Sequence, residues 1–389
     1  VIALDSRLKG ESIFIRPSMT KFLGSTSNDV EICTTASKAT EMRLNEQLIK
    51  ILEDMGVKPQ FFLDLQAQEI EKLRSITSST RTASNFLESQ SIGEKIHLPE
   101  FLRKLLRLQL SFQDDSFLTD VVETAVLIQL RTLKYKARIP VKDGFTLIGI
   151  MDETGILEEG QIFCIIDMGG RGRVITGERV IISRSPALHP GDAQLATAVS
   201  VPENSPLMQL RNCICFSQKG PRDLPSKLSG GDLDGDTFHI IFDPKARTRE
   251  PFAPADYTKQ AARELNRPVE REDMTDFFVD FMETDQLGRI CNMHKMLADQ
   301  SPKGVNDARC IKLAEMASTA VDFSKTGIPV NFWILPCHLL EFMKLIVSLG
   351  EHERNAEAQS NSSSFYGAWS ICGNHERQAH LVRGNWESK

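Results

Sequence analysis

The sequence predicts an α+β fold, with short strands forming a barrel or sandwich between two helical regions. Three observations carry this reading. Between residues 41 and 133 apolar side chains recur at the spacing of amphipathic helices. From 145 to 242 the pattern becomes a series of short β-type runs separated by Gly144, Gly160, Gly177 and the Pro190-Gly191-Asp192 turn. Strands this short and frequent argue against a parallel sheet with helical crossovers. Beyond Pro251 the helical period returns.

Residues 1–21 read as extended, with Ser12-Ile13-Phe14-Ile15 a β-type run closed by Arg16-Pro17. Pro17 lacks a donor and marks a sheet's end or edge. In 41–56 the residues Leu44, Leu48, Ile51, Leu52 and Met55 make one helical face, and Gly56 stops it. Residues 61–76, 100–110 and 117–133 repeat the pattern, whereas 75–91, rich in Ser and Thr, reads as a mobile connector. Strands are expected at 145–150, 161–166, 173–176, 179–183, 195–201, 212–217 and 237–242. Helices follow at 274–298, weakened in its middle by Gly288, and at 308–322 and 336–349; residues 355–364 form a polar, mobile tail. The Met- and Phe-rich 274–296 stretch reads as core packing. These textures place boundaries near 40, 135 and 250, giving segments 1–40, 41–134, 135–245 and 250–389.

The chain has 389 residues, enough for two or three domains, and its 41% hydrophobic and 25% charged content is that of a globular protein. The longest apolar stretch, 121–130, falls short of the roughly 20 residues a bilayer requires, so no membrane partner is expected. A chain that opens on Val1 reads as a piece of a longer polypeptide. Its eight cysteines are scattered without zinc spacing, which suits reduced thiols in an intracellular protein of cytoplasm or nucleus. The net charge of −6 does not advertise a nucleic-acid binder, but binding depends on where charge sits. Arg103, Lys104, Arg107, Arg131, Lys134, Lys136 and Arg138 cluster in sequence, as do Arg171, Arg173, Arg179 and Arg184, and both clusters permit an RNA groove.

The strongest signal is Ser229-Gly230-Gly231-Asp232-Leu233-Asp234-Gly235-Asp236, which feeds the apolar run 237–242. In a straight strand the outer two carboxylates would stand roughly 13 Å apart. Magnesium takes oxygens at about 2.0–2.1 Å. The loop must therefore curl, and Gly230, Gly231 and Gly235 are free to take positive φ. A calcium hand fits only weakly, because Thr237 and Asp243 stand where Gly and Glu belong. A haloacid-dehalogenase-like phosphatase fits poorly, because Asp236 replaces Thr or Val and the strand follows the loop rather than preceding it. A solvated acidic turn leaves the crowding of like charges unexplained.

Upstream lies Arg184-Ser185-Pro186-Ala187-Leu188-His189, an Arg held at a strand end and suited to forked bonding with phosphate or ribose. Paired in order with Asp-x-Asp-Gly-Asp, this Arg-x-Pro-x-Leu-His resembles the active-site barrel of the multi-subunit RNA polymerases' largest subunit. Further motifs narrow the match: Arg16-Pro17-Ser18-Met19-Thr20-Lys21-Phe22, Phe216-Ser217-Gln218-Lys219-Gly220-Pro221-Arg222, residues 228–236, Asp285-Gln286-Leu287-Gly288, and Ala320-Val321-Asp322-Phe323-Ser324-Lys325-Thr326-Gly327. From about residue 4 to 330 the chain resembles the eukaryotic, cell-encoded RNA-dependent RNA polymerases of RNA silencing.

The resemblance implies two double-psi β-barrels, the second carrying the acidic loop at 135–245, with 1–40 the tail of a first barrel that this chain lacks. It implies that Asp232, Asp234 and Asp236 hold catalytic Mg2+, which Mn2+ can replace. Partners would be a single-stranded RNA template, ribonucleoside triphosphates, the first barrel and silencing-pathway proteins. Arg184 would contact the ribose or the template backbone; Lys219, Arg222 and Lys227 are candidates for the triphosphate. His189 is expected to hydrogen-bond inside the barrel rather than act as a base. For Lys325 the residues leave two roles open, nucleic-acid contact and helix capping. A non-catalytic RNA-binding fragment and a metal-dependent phosphatase are the competing functions.

Overall fold

Six short strands close on one another through side chains that alternate between two apolar clusters. The computed structural model describes residues 1–330 other than Lys21, Phe22, Asn28, Met168, Gly169, Arg171, Glu250, Thr258, Lys259, Gln260 and Arg263. The expected helix at 336–349, the tail at 355–364, Arg171 and the end of the Arg16–Phe22 motif lie outside the described residues.

In chain order the elements are β1 (Thr40–Arg43), α1 (Glu46–Asp54), α2 (Pro59–Ile76), α3 (Thr80–Ser89), α4 (Leu98–Arg107), α5 (Ser116–Lys136), β2 (Pro140–Met151) and β3 (Gln161–Ile166). Then come β4 (Arg173–Val174), β5 (Gly177–Ser183), β6 (Ala193–Ala198), β7 (Cys213–Phe216), the single turn α6 (Leu224–Lys227) and β8 (Thr237–Ile241). Last are α7 (Arg271–Thr284), α8 (Leu287–Gln300) and α9 (Ala308–Thr326).

Going round the barrel, β2 pairs with β7, β7 with β3, β3 with β6, β6 with β5, β5 with β8, and β8 returns to β2. The β2–β7 and β3–β6 contacts are parallel and the rest antiparallel, so the barrel is mixed. Strand β1 adds to β2 outside it. The interior is filled by Leu147, Ile162, Cys164, Ile182, Ile214, Phe216, Phe238 and Ile240, all fully or almost fully buried. Period-two alternation sends the intervening residues outward. Of these, Ile181, Ala193 and Ile241 meet α1, α8 and α9 in a second core containing Leu48, Ile51, Leu52, Ile290, Met293 and Leu313.

The helices begin where their caps dictate. Asn45, Ser79 and Asp115 each accept a backbone N–H in the first turn of α1, α3 and α5, and Pro59 opens α2. A third core, with Leu73, Ala83, Phe86, Leu87, Leu102, Phe112 and Val122, joins α2 to α5.

Several sequence expectations change. The Met- and Phe-rich 274–296 stretch is core packing only in α8, for α7 has no buried residue. The strand expected from 145 begins at Pro140 and runs through Gly144. Thr40–Arg43 is strand β1, so the helix expected over 41–56 starts at Glu46. Residues 75–91 are not a connector: Ser79 caps α3, and Ala83, Phe86 and Leu87 bury its inner face. Composition hid a short amphipathic helix. The helix expected over 274–298 is two, α7 and α8, because the backbone at Asp285 is extended. There the Asp285 carboxylate accepts the Leu287 N–H, a local bond that competes with continuing the helix. The Ser12–Ile15 run pairs with no strand among the described residues, and a 3-10 turn spans Pro17–Met19. The strand expected at 195–201 is β6, which starts at Ala193 and ends at Ala198.

Candidate active site

The acidic loop bridges α6 and β8, and its curl follows from three backbone positions. Ser229, Gly230 and Gly235 take positive φ, at 52°, 62° and 146°. Gly231 does not, contrary to the sequence expectation; a Cβ there would stand 2.7 Å from Arg184 Cδ. Its missing side chain makes room for the arginine rather than for a turn. Leu233 anchors the loop from below, packing against the barrel core. A Cβ on Gly149 of β2 would meet Phe238 at 2.4 Å and Leu233 at 2.9 Å, so a hole in β2 receives both. The Gly149 N–H donates to the Asp236 carbonyl at 3.0 Å, which fixes where β8 begins.

The curl brings Asp232, Asp234 and Asp236 together, with one carboxylate oxygen from each within 4.8 Å of the others. Asp232 and Asp234 are exposed and Asp236 is half-buried. A hydrogen bond with Asp232 raises the Asp234 carboxyl above its ordinary range, and slight burial and the charges of Asp232 and Asp236 add to the rise. Lys325, in the last turn of α9, opposes it. Hard oxygen donors crowded at this spacing fit a divalent cation, whose charge would offset their repulsion.

Arg184, just past β5, holds Asp236 with a fork. Its Nε donates to Oδ2 at 2.7 Å, its Nη2 to Oδ1 at 3.0 Å, and its Nη1 to the Ser229 carbonyl at 3.0 Å. The Asp232 N–H also donates to Asp236 Oδ2, at 3.0 Å. A carboxylate oxygen has two lone pairs, so Oδ2 is filled and Oδ1 keeps one open.

Behind the loop, His239 hydrogen-bonds Thr146 and Ser185, each at 2.9 Å. Burial, helped by the charge of Arg138, lowers its pKa to about 4, so the ring is neutral at pH 7. His189 accepts the Gly191 N–H on Nδ1 at 3.0 Å and is likewise lowered by burial.

Lys219, Lys227, Arg222 and Arg103 have acidic or backbone partners. Lys219 Nζ lies 2.6 Å from Glu158, and Lys227 Nζ 4.0 Å from Glu159. Arg222 Nη2 donates to the carbonyls of Ser226 and Ala255, each at 2.8 Å. Arg103 pairs with Glu88 at 2.8 Å.

Two residues escaped the sequence reading. Asp192, 1% exposed, accepts the N–H groups of Leu188 and His189 on Oδ2 at 2.9 and 2.8 Å, and that of Ser229 on Oδ1 at 3.0 Å. The Tyr257 hydroxyl donates to the same Oδ1. Burial pushes the Asp192 carboxyl up to about 6 against the pull of these donors. Asp192 was legible only as part of a turn, and Tyr257 stands in no local pattern.

A closed mixed barrel that gathers three carboxylates at the mouth of one strand defines a class of barrel built around a metal-competent loop. The sequence profile of the family described as RNA dependent RNA polymerase matches residues 1–374. A probable RNA-dependent RNA polymerase 1 of Oryza sativa is 32% identical over 333 residues, covering 85% of this chain and 44% of that one. RNA-dependent RNA polymerase 6 of Arabidopsis thaliana is 34% identical over 353 residues, covering 86% and 28%, and RNA-dependent RNA polymerase 1 of Schizosaccharomyces pombe is 32% identical over 349 residues, covering 82% and 28%. In solved form, the RNA dependent RNA polymerase QDE-1 from Thielavia terrestris superposes with a TM-score of 0.60 at 21% identity, over 77% of this chain and 37% of that one. The chain belongs to the eukaryotic RNA-dependent RNA polymerase family, and its fold is the α+β arrangement around a double-psi barrel that the motifs implied. It spans less than half the length of these relatives.

Proposed function

We propose that this chain carries the catalytic loop of an RNA-directed RNA polymerase, a nucleotidyltransferase that copies single-stranded RNA from ribonucleoside triphosphates. The observation that carries the reading is the convergence of Asp232, Asp234 and Asp236 on the barrel. Mg2+, with Mn2+ able to replace it, would be held by these three and would supply activation of the attacking 3′-hydroxyl and neutralisation of charge on the leaving phosphates. The chain's own part is positioning, which dominates phosphoryl-transfer catalysis.

In this reading Arg184 has two tasks. Its fork orients Asp236, and of the five N–H donors of a guanidinium three are used in the contacts above. The others suit a ribose hydroxyl or a template phosphate. Lys219 and Lys227 would release Glu158 and Glu159 to meet a triphosphate, and Arg222 would act by holding α6. Lys325 would bring positive charge to the growing RNA beside Asp234. A β-barrel preceding residue 40, silencing-pathway proteins and an intracellular location complete the proposal. Among the described residues no helix is long and apolar enough to cross a membrane.

Incorporation of a labelled ribonucleotide on single-stranded RNA, with Mg2+ or Mn2+, tests it. The chain is compared with its Asp234→Ala variant, each alone and with an upstream barrel supplied in trans. We expect metal-dependent incorporation that the variant loses. Metal-independent RNA binding without incorporation under any condition would leave a binding fragment, and a trappable aspartyl-phosphate would indicate the phosphatase.

A further inference from the structure

We infer that the segment after β8, residues 252–257, is a strap that holds the acidic loop in its metal-gathering shape, with Tyr257 and Asp192 as positioning residues. The inference rests on the polymerase reading for its kinetic consequence, but its geometry stands alone. The strap crosses the Pro190-Gly191-Asp192 turn so closely that a Cβ on Gly191 would stand 2.2 Å from the Ala253 carbonyl oxygen and 2.6 Å from Pro254 Cα. It is tied down on both sides. Gln194 of β6 donates from Nε2 to the carbonyls of Gly191 and Phe252, at 2.8 and 2.9 Å. Arg222 links the Ala255 carbonyl to that of Ser226 in α6.

At its far end Tyr257 closes the arrangement. Its ring covers Gly230, where a Cβ would meet Tyr257 Cβ and Cγ at 3.2 Å. Its hydroxyl joins the Ser229 N–H on one oxygen of Asp192, while Leu188 and His189 occupy the other. One buried carboxylate therefore ties three pieces together: the turn that follows Arg184, the start of the acidic loop, and the strap. All its four lone-pair positions are used, so no partner can be lost without leaving a buried polar group unmatched. The loop needs such a tie. Ser229 is a non-glycine residue at φ 52°, a conformation the surroundings must enforce. The Ser229 carbonyl in turn receives Arg184 Nη1, so a displaced Ser229 would carry the Arg184–Asp236 fork with it.

Tyr257→Phe keeps the ring over Gly230 and removes only the hydroxyl donor. Gly191→Ala leaves every hydrogen bond donor in place and lifts the strap by steric contact. Both are compared with the unaltered chain, together with whatever upstream barrel activity requires, by amide hydrogen exchange over 229–236, by Mn2+ binding through its paramagnetic resonance signal, and by incorporation kinetics. We expect exchange at Ser229 to Asp232 to quicken by about tenfold or more in each variant, the loss of one charged hydrogen bond's worth of restraint. Mn2+ affinity should fall about fivefold, and kcat should fall by more than KM for the triphosphate rises, because Tyr257 and Asp192 act on the acidic loop while the strap reaches the triphosphate candidates only through the Arg222 bond to Ala255. Exchange and Mn2+ affinity within twofold of the unaltered chain in both variants would overturn the inference. Should the unaltered chain incorporate no nucleotide, the polymerase reading fails, while exchange and Mn2+ binding still decide the strap.

Discussion

Asp236 is held by the Arg184 fork and the Asp232 N–H, and Asp232 and Asp234 are hydrogen-bonded to each other. The i, i+2, i+4 spacing made the triad legible from sequence, because no straight strand could use it and the glycines announced a curl. The Arg184–Asp236 contact was not legible, for it spans 52 residues and a strand-end arginine looks the same whatever it meets. A second buried group gives a pH test. His294 in α8 is 2% exposed, and its Nε2 meets no hydrogen-bond partner in the described structure. Burial lowers its pKa to about 4 from the ordinary 6.5. The unfolded chain thus takes up this proton first. Stability is unaffected above pH 6.5 and is lost as pH falls toward 4, by on the order of 3 kcal/mol in full. Asp192, raised to about 6, acts with opposite sign in the same window. Comparing the chain with His294→Leu isolates the histidine. Urea unfolding at pH 7.5 and pH 4.5 should show the variant gaining on the unaltered chain by roughly 2–3 kcal/mol between the two; an equal difference at both would show that the ring takes up its proton inside the fold as readily as in the unfolded chain.

At the scale of elements, strand β2 serves the barrel and the loop at once through Gly149. Adding a methyl there would press on Phe238, which is fully buried, and on Leu233, which stands between Asp232 and Asp234. Overpacking of this kind costs about 1–3 kcal/mol. Gly149→Ala should therefore lower the urea midpoint and weaken Mn2+ binding together. A variant that lost stability yet bound Mn2+ unchanged would show that Leu233 is not what seats the loop. Most strands were readable because turn residues bound them, and each of the seven expected runs falls on one of β2 to β8, although Gly144, expected to precede the first, lies inside β2 and Gly177 begins β5. Closure was not readable. Nothing local in β8 says that it pairs with both β2 and β5, since those partners are chosen by which apolar faces meet. Helix boundaries failed for a related reason. The apolar period runs on past Asp285, and Ser-Thr content masked the cap and inner face of α3, so single side-chain bonds to backbone decided both outcomes.

For the whole molecule the telling surface is the beginning of the chain. Ile2, Ile13, Phe14 and Ile15 are 63%, 60%, 76% and 59% exposed, a cluster of large apolar groups that water does not favour. The segment that carries them lies along the barrel, where it lines a cavity with Ile150, Met151, Leu207 and Leu233, and Arg16 fastens it to Glu153 at 3.1 Å. Leu233 belongs to the acidic loop, so the cavity this segment lines reaches the candidate site. A preceding β-barrel, as the family resemblance implies, is the cover we propose. Ile13→Asp with Phe14→Asp would then weaken association with that barrel supplied in trans by at least tenfold, measured by co-purification and titration, since two large apolar side chains are worth about 3–6 kcal/mol when fully buried. The same variant should melt at the temperature of the unaltered chain when alone, because neither residue belongs to a core of the described structure. Undiminished association would assign the apolar segment to another partner, and a lowered melting temperature would mean that Ile13 and Phe14 stabilise the chain without one.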